Sequence, residues 1–123
     1  MKIYVGHSRE FDYVKELYLP LRNSKLNSLA EIIFPHEKGG SLFNSKEDLK
    51  SVDFMIAEVS YPSTGLGIEI GYASIYKIPI IVVYQSGLKV SDSTKSLGAH
   101  IIEYSNSNEL IEQIKFIVSD KQK

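Results

Sequence analysis

The feature that most constrains the fold of this chain is a continuous segment near its middle. Residues 54–59 form a run that is apolar except for Glu58, and such a run predicts a buried strand. Residues 60–67 are mostly small or turn-forming, and the apolar spacing from Ile68 onward predicts a helix. A strand, a loop and a helix therefore follow one another directly, and this succession is the building unit of parallel α/β sheets.

The same succession recurs on both sides of this segment. Short apolar or β-branched runs predict five strands, at residues 2–5, 31–34, 54–59, 78–84 and 99–104. The predicted helices cover residues 11–21, Ile68 to about Tyr76, and Asn108 onward, with a further short helix that Asn44 or Ser45 caps. Residues 24–28 and 85–96 are polar and predict loops.

Strands that alternate with helices predict one α/β domain over residues 1–123. The expected fold is a doubly wound, flavodoxin-like or Rossmann-like sheet of five parallel strands with helices on both faces. Strand order 2-1-3-4-5, with short right-handed crossovers, is the simplest arrangement. The nearly all-apolar run at residues 78–84 supports a strand that is covered on both faces, as strands of parallel sheets are.

Composition excludes several classes of protein. The 123 residues suffice for one domain, and a net charge of −1 without a basic block argues against a nucleic-acid polymer as partner. The chain has no cysteine, so disulfides, thiol catalysis and thiolate metal sites are excluded. Its three histidines are widely spaced, so we expect no metal site, and we expect no cofactor. We find no pattern of a signal peptide or membrane span and expect a cytoplasmic protein.

Glu69 is the strongest candidate for chemistry. Doubly wound sheets bind ligands beyond the carboxyl ends of their strands, where loops open onto helix N-termini. We expect Glu69 in the first turn of the third helix, facing this crevice, and hydroxyl-bearing residues precede it. Gly65 and Gly67 would let a ligand approach the main chain closely. An acidic residue near a helix N-terminus also stabilises the helix dipole, so Glu69 taken alone has a purely structural explanation.

The run AEVSYPSTGLGIEIGYA, from Ala57 to Ala73, resembles the signature of the nucleoside 2-deoxyribosyltransferase superfamily. Within that superfamily it most resembles the branch of 2'-deoxynucleoside 5'-monophosphate N-glycosidases, and the resemblance extends from Tyr4 to the region of Ser91. It implies an enzyme that cleaves the N-glycosidic bond of (2'-deoxy)nucleoside 5'-monophosphates. By resemblance, Glu69 is the nucleophile and forms a glycosyl-enzyme intermediate. The implied partner is a small-molecule nucleotide or nucleoside.

The resemblance also implies substrate-binding residues. Tyr4 would lie against the sugar, and Ser63 would contact the phosphate. Ser91 would reach the neighbouring site across the interface of a homodimer. Ser8 and Arg9 lie where the first loop would meet a phosphate, for which the forked donors of arginine are suited. We expect Tyr72 and Tyr76, one helical turn apart, to pack between the two subunits.

One position departs from the family's pattern. The family's aspartate before the signature strand aligns with Ser45, and a serine cannot act as a carboxylic acid near neutral pH. Either Asp48 or Glu47 takes over this role, or the activity is altered or lost. His36 and Glu37, after the second strand, are further candidates for base recognition or proton transfer, with plain solvation as the alternative.

Three other functions stay open at this point. The protein could be a deoxyribosyltransferase acting on free nucleosides, or a catalytically weak relative that binds nucleotides, which Ser45 favours. A flavodoxin-like or receiver domain would share only the architecture, and it lacks support because no acidic cluster follows the first strand. Fold alone does not choose among these functions.

Overall fold

The computed structural model describes residues 1–37 and 45–122, and of residues 45, 121 and 122 only the backbone. Its centre is a five-stranded sheet in the order β2-β1-β3-β4-β5 with every neighbouring pair parallel. The strands are β1 (Lys2–His7), β2 (Glu31–Ile33), β3 (Phe54–Glu58), β4 (Ile80–Gln85) and β5 (His100–Tyr104). The predicted fold class and strand order are therefore confirmed.

Helices cover both faces of the sheet. Those before β2 are a π-helical turn (Val14–Tyr18) that continues into α1 (Leu19–Arg22), and α2 (Leu26–Leu29). The later ones are α3 (Ser45–Asp48), a 3-10 turn (Leu49–Ser51), α4 (Thr64–Ile75), α5 (Asp92–Ser96) and α6 (Ser107–Gln122). None of them, within the part of the chain that the structure describes, is both long and apolar enough to span a membrane.

Two hydrophobic cores result, one on each face of the sheet. On one face, alternate strand residues such as Ile3 and Ile56 pack with Leu21 of α1 and Ile114 of α6. On the other face, the intervening strand residues pack with Leu49 and with three residues of α4: Leu66, Ile70 and Ala73. Successive strand residues point to opposite faces, so each strand contributes to both cores. The central strands are buried on both faces, as their apolar runs predicted.

Several predicted boundaries are wrong. Residues 24–28 and 85–96 were expected to be loops, but they include most of α2 and all of α5. Ser91 begins α5 because its hydroxyl oxygen accepts a hydrogen bond of 3.2 Å from the backbone N–H of Thr94. The first predicted helix forms only from Val14, as a π-helical turn, and Pro20, which has no N–H to donate, lies where this turn passes into α1.

The most important correction concerns the start of α4. The sequence predicted a loop up to Gly67, but the helix begins at Thr64, because the Ser63 hydroxyl accepts from the backbone N–H of Leu66 at 3.3 Å. Gly65 and Gly67 are therefore helical, and a Cβ at either position would meet no atom within 4 Å. Glu69 consequently lies in the second turn of α4 and not in the first.

Candidate active site

The candidate site lies at the carboxyl ends of β1 and β3, where the winding of the sheet reverses. The chain leaves β1 toward the α1 face and leaves β3 toward the α4 face. Connections that leave neighbouring strands on opposite faces open a crevice between them, and ligands of doubly wound sheets bind there. The register places Gly6 beside Ala57 and His7 beside Glu58 at this edge. Functional side chains are therefore expected around these four residues.

Glu69 projects from α4 toward β1 and is held there by Tyr4. The Tyr4 hydroxyl donates a hydrogen bond to Glu69 Oε2. Tyr4 is fully buried, whereas Glu69 is half-buried. Gly6 makes the approach possible, because a Cβ there would lie 3.3 Å from Glu69 Oε1 and 3.0 Å from Leu66 Cδ1. The carboxyl group therefore sits against the main chain of β1 at the crevice.

The surroundings of this pair set its protonation. Burial raises the pKa of Glu69 above that of an ordinary glutamate, and the hydrogen bond from Tyr4 opposes the rise because it favours the charged form. Burial and the neighbouring charge of Glu69 raise the pKa of Tyr4, so the tyrosine stays a hydrogen-bond donor. A half-buried carboxylate with one oriented donor can act as a nucleophile or as a general base.

The two acidic candidates on α3 lie in different surroundings. Burial is the main reason that the pKa of Tyr4 is raised, and the charge of Asp48, an exposed residue, makes a smaller contribution. Glu47 Oε2 instead lies 3.4 Å from Lys50 Nζ on the protein surface. Ser45 begins α3, and its side chain lies outside the described residues. Both acidic side chains are exposed, and Asp48 is the one whose charge acts on the tyrosine that binds Glu69.

His7 is a buried polar residue at the end of β1 that the sequence analysis did not assign to the site. Its Nδ1 lies 2.7 Å from the carbonyl oxygen of Ser8, and its Nε2 contacts the Tyr18 hydroxyl. Tyr18 in turn accepts a hydrogen bond of 3.3 Å from the backbone N–H of His36. Burial lowers the pKa of His7 to about 4, so the neutral ring donates from Nδ1 and accepts at Nε2. His7 therefore ties the end of β1 to the segment after β2.

Aromatic rings surround His7 on the α1 face of the sheet. The Tyr13 ring centroid lies 4.4 Å from that of His7, and the His36 centroid lies 5.5 Å from it. Phe11 stacks on Tyr61, which precedes α4, at 5.7 Å. The only sequence signal for His7 is its position directly after an apolar run, and this signal does not reveal partners from three other segments. The cluster places aromatic surface beside the crevice, on the face opposite Glu69.

The structure brings together some, but not all, of the predicted site residues in the loops after β1 and β2. Ser8 is buried, and its hydroxyl accepts a backbone hydrogen bond of 3.0 Å within the same loop. Arg9 is exposed, and its Nη2 lies 3.3 Å from Nδ1 of His36. Burial and the charge of Arg9 lower the pKa of His36. Glu37 is not simply solvated, because Arg22 Nη2 lies 2.6 Å from its Oε1. Arg9 and His36 thus meet, while Glu37 is engaged in an ion pair.

A cavity of about 250 Å³ beside the N-terminus of α4 contains three more of the predicted residues. Ser63, Gly67 and Ser91 line it, together with Lys89 and Thr94. The two serines cap different helices, so each hydroxyl oxygen accepts a backbone N–H, and the Ser91 hydroxyl also forms a hydrogen bond of 2.7 Å with the Thr94 hydroxyl. Ser63 and Ser91 therefore share one cavity within a single chain. Among the described residues, no group of three or more histidine, aspartate or glutamate side chains could hold a metal ion.

Comparison with known protein sequences gives a short match. No family model matches the chain. A protein of Syntrophotalea carbinolica with the provisional name 2'-deoxynucleoside 5'-phosphate N-hydrolase 1 is 40% identical over 50 residues. The alignment covers 41% of this chain and 35% of that relative. The chain thus matches only about a third of the length of the relative.

Solved structures match over nearly the whole chain. A CMP N-glycosidase of Clostridium botulinum has a TM-score of 0.65 and 21% identity, covering 94% of this chain and 99% of that one. A 2-deoxyribosyltransferase of Bacillus psychrosaccharolyticus has a TM-score of 0.64 and 19% identity, covering 89% and 90%. The chain has the nucleoside 2-deoxyribosyltransferase fold. A conserved protein of Enterococcus faecalis V583 shares this fold, with a TM-score of 0.70, 18% identity and coverage of 94% and 97%.

The position of Glu69 in this deoxyribosyltransferase fold predicts how stability changes with pH. A carboxyl group whose pKa is raised by folding stabilises the fold below its ordinary value of 4.5, and this contribution is lost as the pH rises through the folded value. Glu69→Gln keeps an acceptor for Tyr4 but cannot ionise. We expect the free energy of unfolding of Glu69→Gln, relative to wild type, to increase above pH 4.5 in urea denaturation. Glu103→Gln, an exposed carboxylate on β5, controls for the lost charge, and parallel profiles for Glu69→Gln and wild type would contradict the prediction.

Proposed function

We propose that this protein cleaves the N-glycosidic bond of 2'-deoxynucleoside 5'-monophosphates, with Glu69 as the nucleophile. The observation that carries the proposal is the pairing of a half-buried carboxylate with a tyrosine donor at the topological switch point of the sheet. Two structural neighbours with this fold are a CMP N-glycosidase and a 2-deoxyribosyltransferase. The provisional name of the relative from Syntrophotalea carbinolica describes the same bond cleavage.

In the proposed reaction, the ionised Glu69 attacks the anomeric carbon of the sugar. The hydrogen bond from Tyr4 engages Oε2, so Oε1 forms the new carbon–oxygen bond. The carbon–nitrogen bond breaks, and its electron pair leaves with the base, which takes a proton from Asp48 or from water. A water molecule then attacks the anomeric carbon of the ester, gives up a proton and releases the Glu69 carboxylate. One water is consumed for each base released.

We assign the 5'-phosphate to the serine-lined cavity next to α4. The Ser63 O–H can donate, and the hydrogen-bonded hydroxyls of Ser91 and Thr94 leave one further O–H that can donate. Lys89 on the cavity wall adds a positive charge. Ser8 and Arg9 contribute from the first loop, and His36 beside Arg9 is assigned to recognition of the base. A substrate with a 5'-phosphate is favoured over a free nucleoside because these donors suit an anion.

Two further functions have specific support. A glycosyl-enzyme ester can be resolved by an acceptor base instead of water, and the fold is also that of a 2-deoxyribosyltransferase. A protein that binds nucleotides but turns them over weakly is supported by Ser45, which replaces a carboxylic acid in the family's pattern. Release of free base distinguishes the first function from the last, and an acceptor base added to the reaction reveals transfer.

We expect Glu69→Ala to abolish release of free base from deoxynucleoside monophosphates. Removal of the nucleophile should lower kcat by about a thousandfold or more, because the covalent step has no substitute. The measurement is chromatography of free bases after incubation with the four deoxynucleoside monophosphates and with CMP, which tests tolerance of a 2'-hydroxyl. Glu103→Gln is the matched control and should retain wild-type release. Equal turnover by Glu69→Ala and wild type would refute the assignment.

Asp48 and Glu47 provide a paired test of the acid that assists the leaving base. We expect Asp48→Asn to lower kcat by about a hundredfold, a usual contribution of general acid catalysis, with little change in the dissociation constant of the nucleotide. Glu47→Gln should remain near wild type, because its carboxylate lies beside Lys50 at the surface. A larger loss for Glu47→Gln than for Asp48→Asn would reverse the assignment.

We also propose a homodimer that forms through the outer face of α4. Ile68 and Ile75 are exposed on this helix, Ile75 by 77%, and the rings of Tyr72 and Tyr76 stack on each other beside them at 6.2 Å. Aromatic and aliphatic side chains on one helix face are typical of the centre of a subunit interface. That Ser91 reaches the site of the neighbouring subunit in such a dimer stays a prediction.

The dimer is tested by placing a charge on this face. We expect Ile75→Glu to shift the protein from dimer to monomer in analytical ultracentrifugation, because an unpaired charge in an apolar interface is costly. Phe116→Glu is the matched control, since Phe116 is 78% exposed on α6 and away from the proposed interface. A monomeric wild-type protein would contradict the proposal.

A further inference from the structure

A second carboxylate, Glu58, is buried more deeply than Glu69 and has no part in the reaction proposed above. Glu58 is the last residue of β3 and is 0% exposed. Its Oε1 accepts a hydrogen bond of 2.7 Å from the backbone N–H of Ser60, and its Oε2 accepts one from the Tyr104 hydroxyl. Burying an ionisable group is costly unless its charge is compensated. A carboxylate at this fully buried position therefore needs a structural or functional explanation.

The partners of Glu58 connect three strand ends on one edge of the sheet. Ser60 follows β3, and its hydroxyl oxygen accepts a hydrogen bond of 2.8 Å from the backbone N–H of Gln85 at the end of β4. Tyr104 is the last residue of β5. The carboxylate of Glu58 thus links the ends of β3 and β5 directly and the end of β4 through Ser60.

All identified partners of Glu58 donate to it, which favours the ionised form. Burial raises the pKa of Glu58, the hydrogen bonds from Tyr104 and Ser60 oppose that rise, and the charge of Glu16 adds to it. The backbone N–H of Ser60 can only donate, so Oε1 of Glu58 is an acceptor, as a carboxylate oxygen is.

The segment that Glu58 holds leads directly to Glu69. Only residues 59–63 separate β3 from α4, and this segment contains Pro62, whose ring restricts the backbone. Tyr61 is stacked on Phe11, and Ser63 caps the helix. A short segment held at both ends transmits a displacement of Ser60 to the first turn of α4. Glu69 lies one turn further along the same rigid helix.

We propose that Glu58 is a positioning residue, whose carboxylate holds Ser60 and so sets the place at which Glu69 meets Tyr4. Its effect on turnover rests on the proposed function, whereas its effect on the geometry of Glu69 does not. The carboxyl group of Glu58 faces the α1 side of the sheet, and Glu69 lies on the α4 side. Glu58 therefore acts through the loop and not by contact with the substrate.

The first experiment measures turnover of Glu58→Gln, which keeps the size of the side chain but loses the charge. We expect kcat for base release to fall about tenfold or more while KM stays within about twofold, because a misplaced nucleophile affects the chemical step more than binding. Tyr104→Phe, which leaves the Ser60 anchor in place, should lower kcat less. Glu103→Gln is the matched control. The Glu103 carboxylate accepts hydrogen bonds of 3.0 Å from the hydroxyl groups of Tyr84 and Ser86, neither of which lies in the segment between β3 and α4.

The second experiment does not depend on activity. The titration of the Glu69 carboxyl carbon is followed by NMR in protein labelled at the glutamate side chains, with Glu69→Gln identifying the signal. In Glu58→Gln the midpoint should shift toward that of an ordinary glutamate, because Glu69 leaves its buried place beside Tyr4. Glu103→Gln should leave the titration unchanged.

Each result of the two experiments either supports or overturns the positioning role of Glu58. A folded Glu58→Gln with the wild-type Glu69 titration and kcat overturns the positioning role. If the wild-type protein releases no base, the proposed function fails, and the NMR titration alone decides the role of Glu58. If Glu58→Gln does not fold, Glu58→Asp, whose shorter side chain draws the carboxylate away from the backbone N–H of Ser60, is titrated in its place. A shift of Glu69 in the same direction then supports the proposal, and no shift overturns it.

Discussion

The candidate site depends on the hydrogen bond between Tyr4 and Glu69. A buried tyrosine needs a partner for its hydroxyl, and a half-buried carboxylate needs a donor. Each group satisfies the other, across the space between β1 and α4 that Gly6 leaves open. Tyr4 lies on β1 and Glu69 lies on α4, so the pair forms only when this helix has packed against the sheet. The same contact leaves the carboxylate at the mouth of the crevice.

Two glutamates at the carboxyl edge of the sheet have different surroundings. Glu69 is half-buried and faces the crevice, where a charge can meet a substrate. Glu58 is fully buried on the other face, and it accepts hydrogen bonds from Ser60 and Tyr104. Residues 59–63 connect the end of β3, where Glu58 lies, with α4, which carries Glu69.

Local sequence patterns predicted the strands better than the helices. The strands are short apolar runs, and a parallel sheet covered on both faces requires such runs. α2 and α5 have only four and five residues, too few to show helical spacing. The start of α4 was also missed, because the Ser63 hydroxyl begins the helix ahead of two glycines that suggested a loop. His7 was missed because its partners come from distant segments.

The sequence by itself determined the α/β class and the strand order, since apolar runs and short connections are local along the chain. Its long motif also predicted Glu69 as the reactive residue, which stays a prediction. Only the tertiary structure decided which polar groups meet. The exposed Glu37 forms an ion pair with Arg22, and Glu58 accepts a hydrogen bond from the Tyr104 hydroxyl of another strand. Hydrogen bonds depend on side-chain direction and on distances between packed elements, and a linear pattern contains neither.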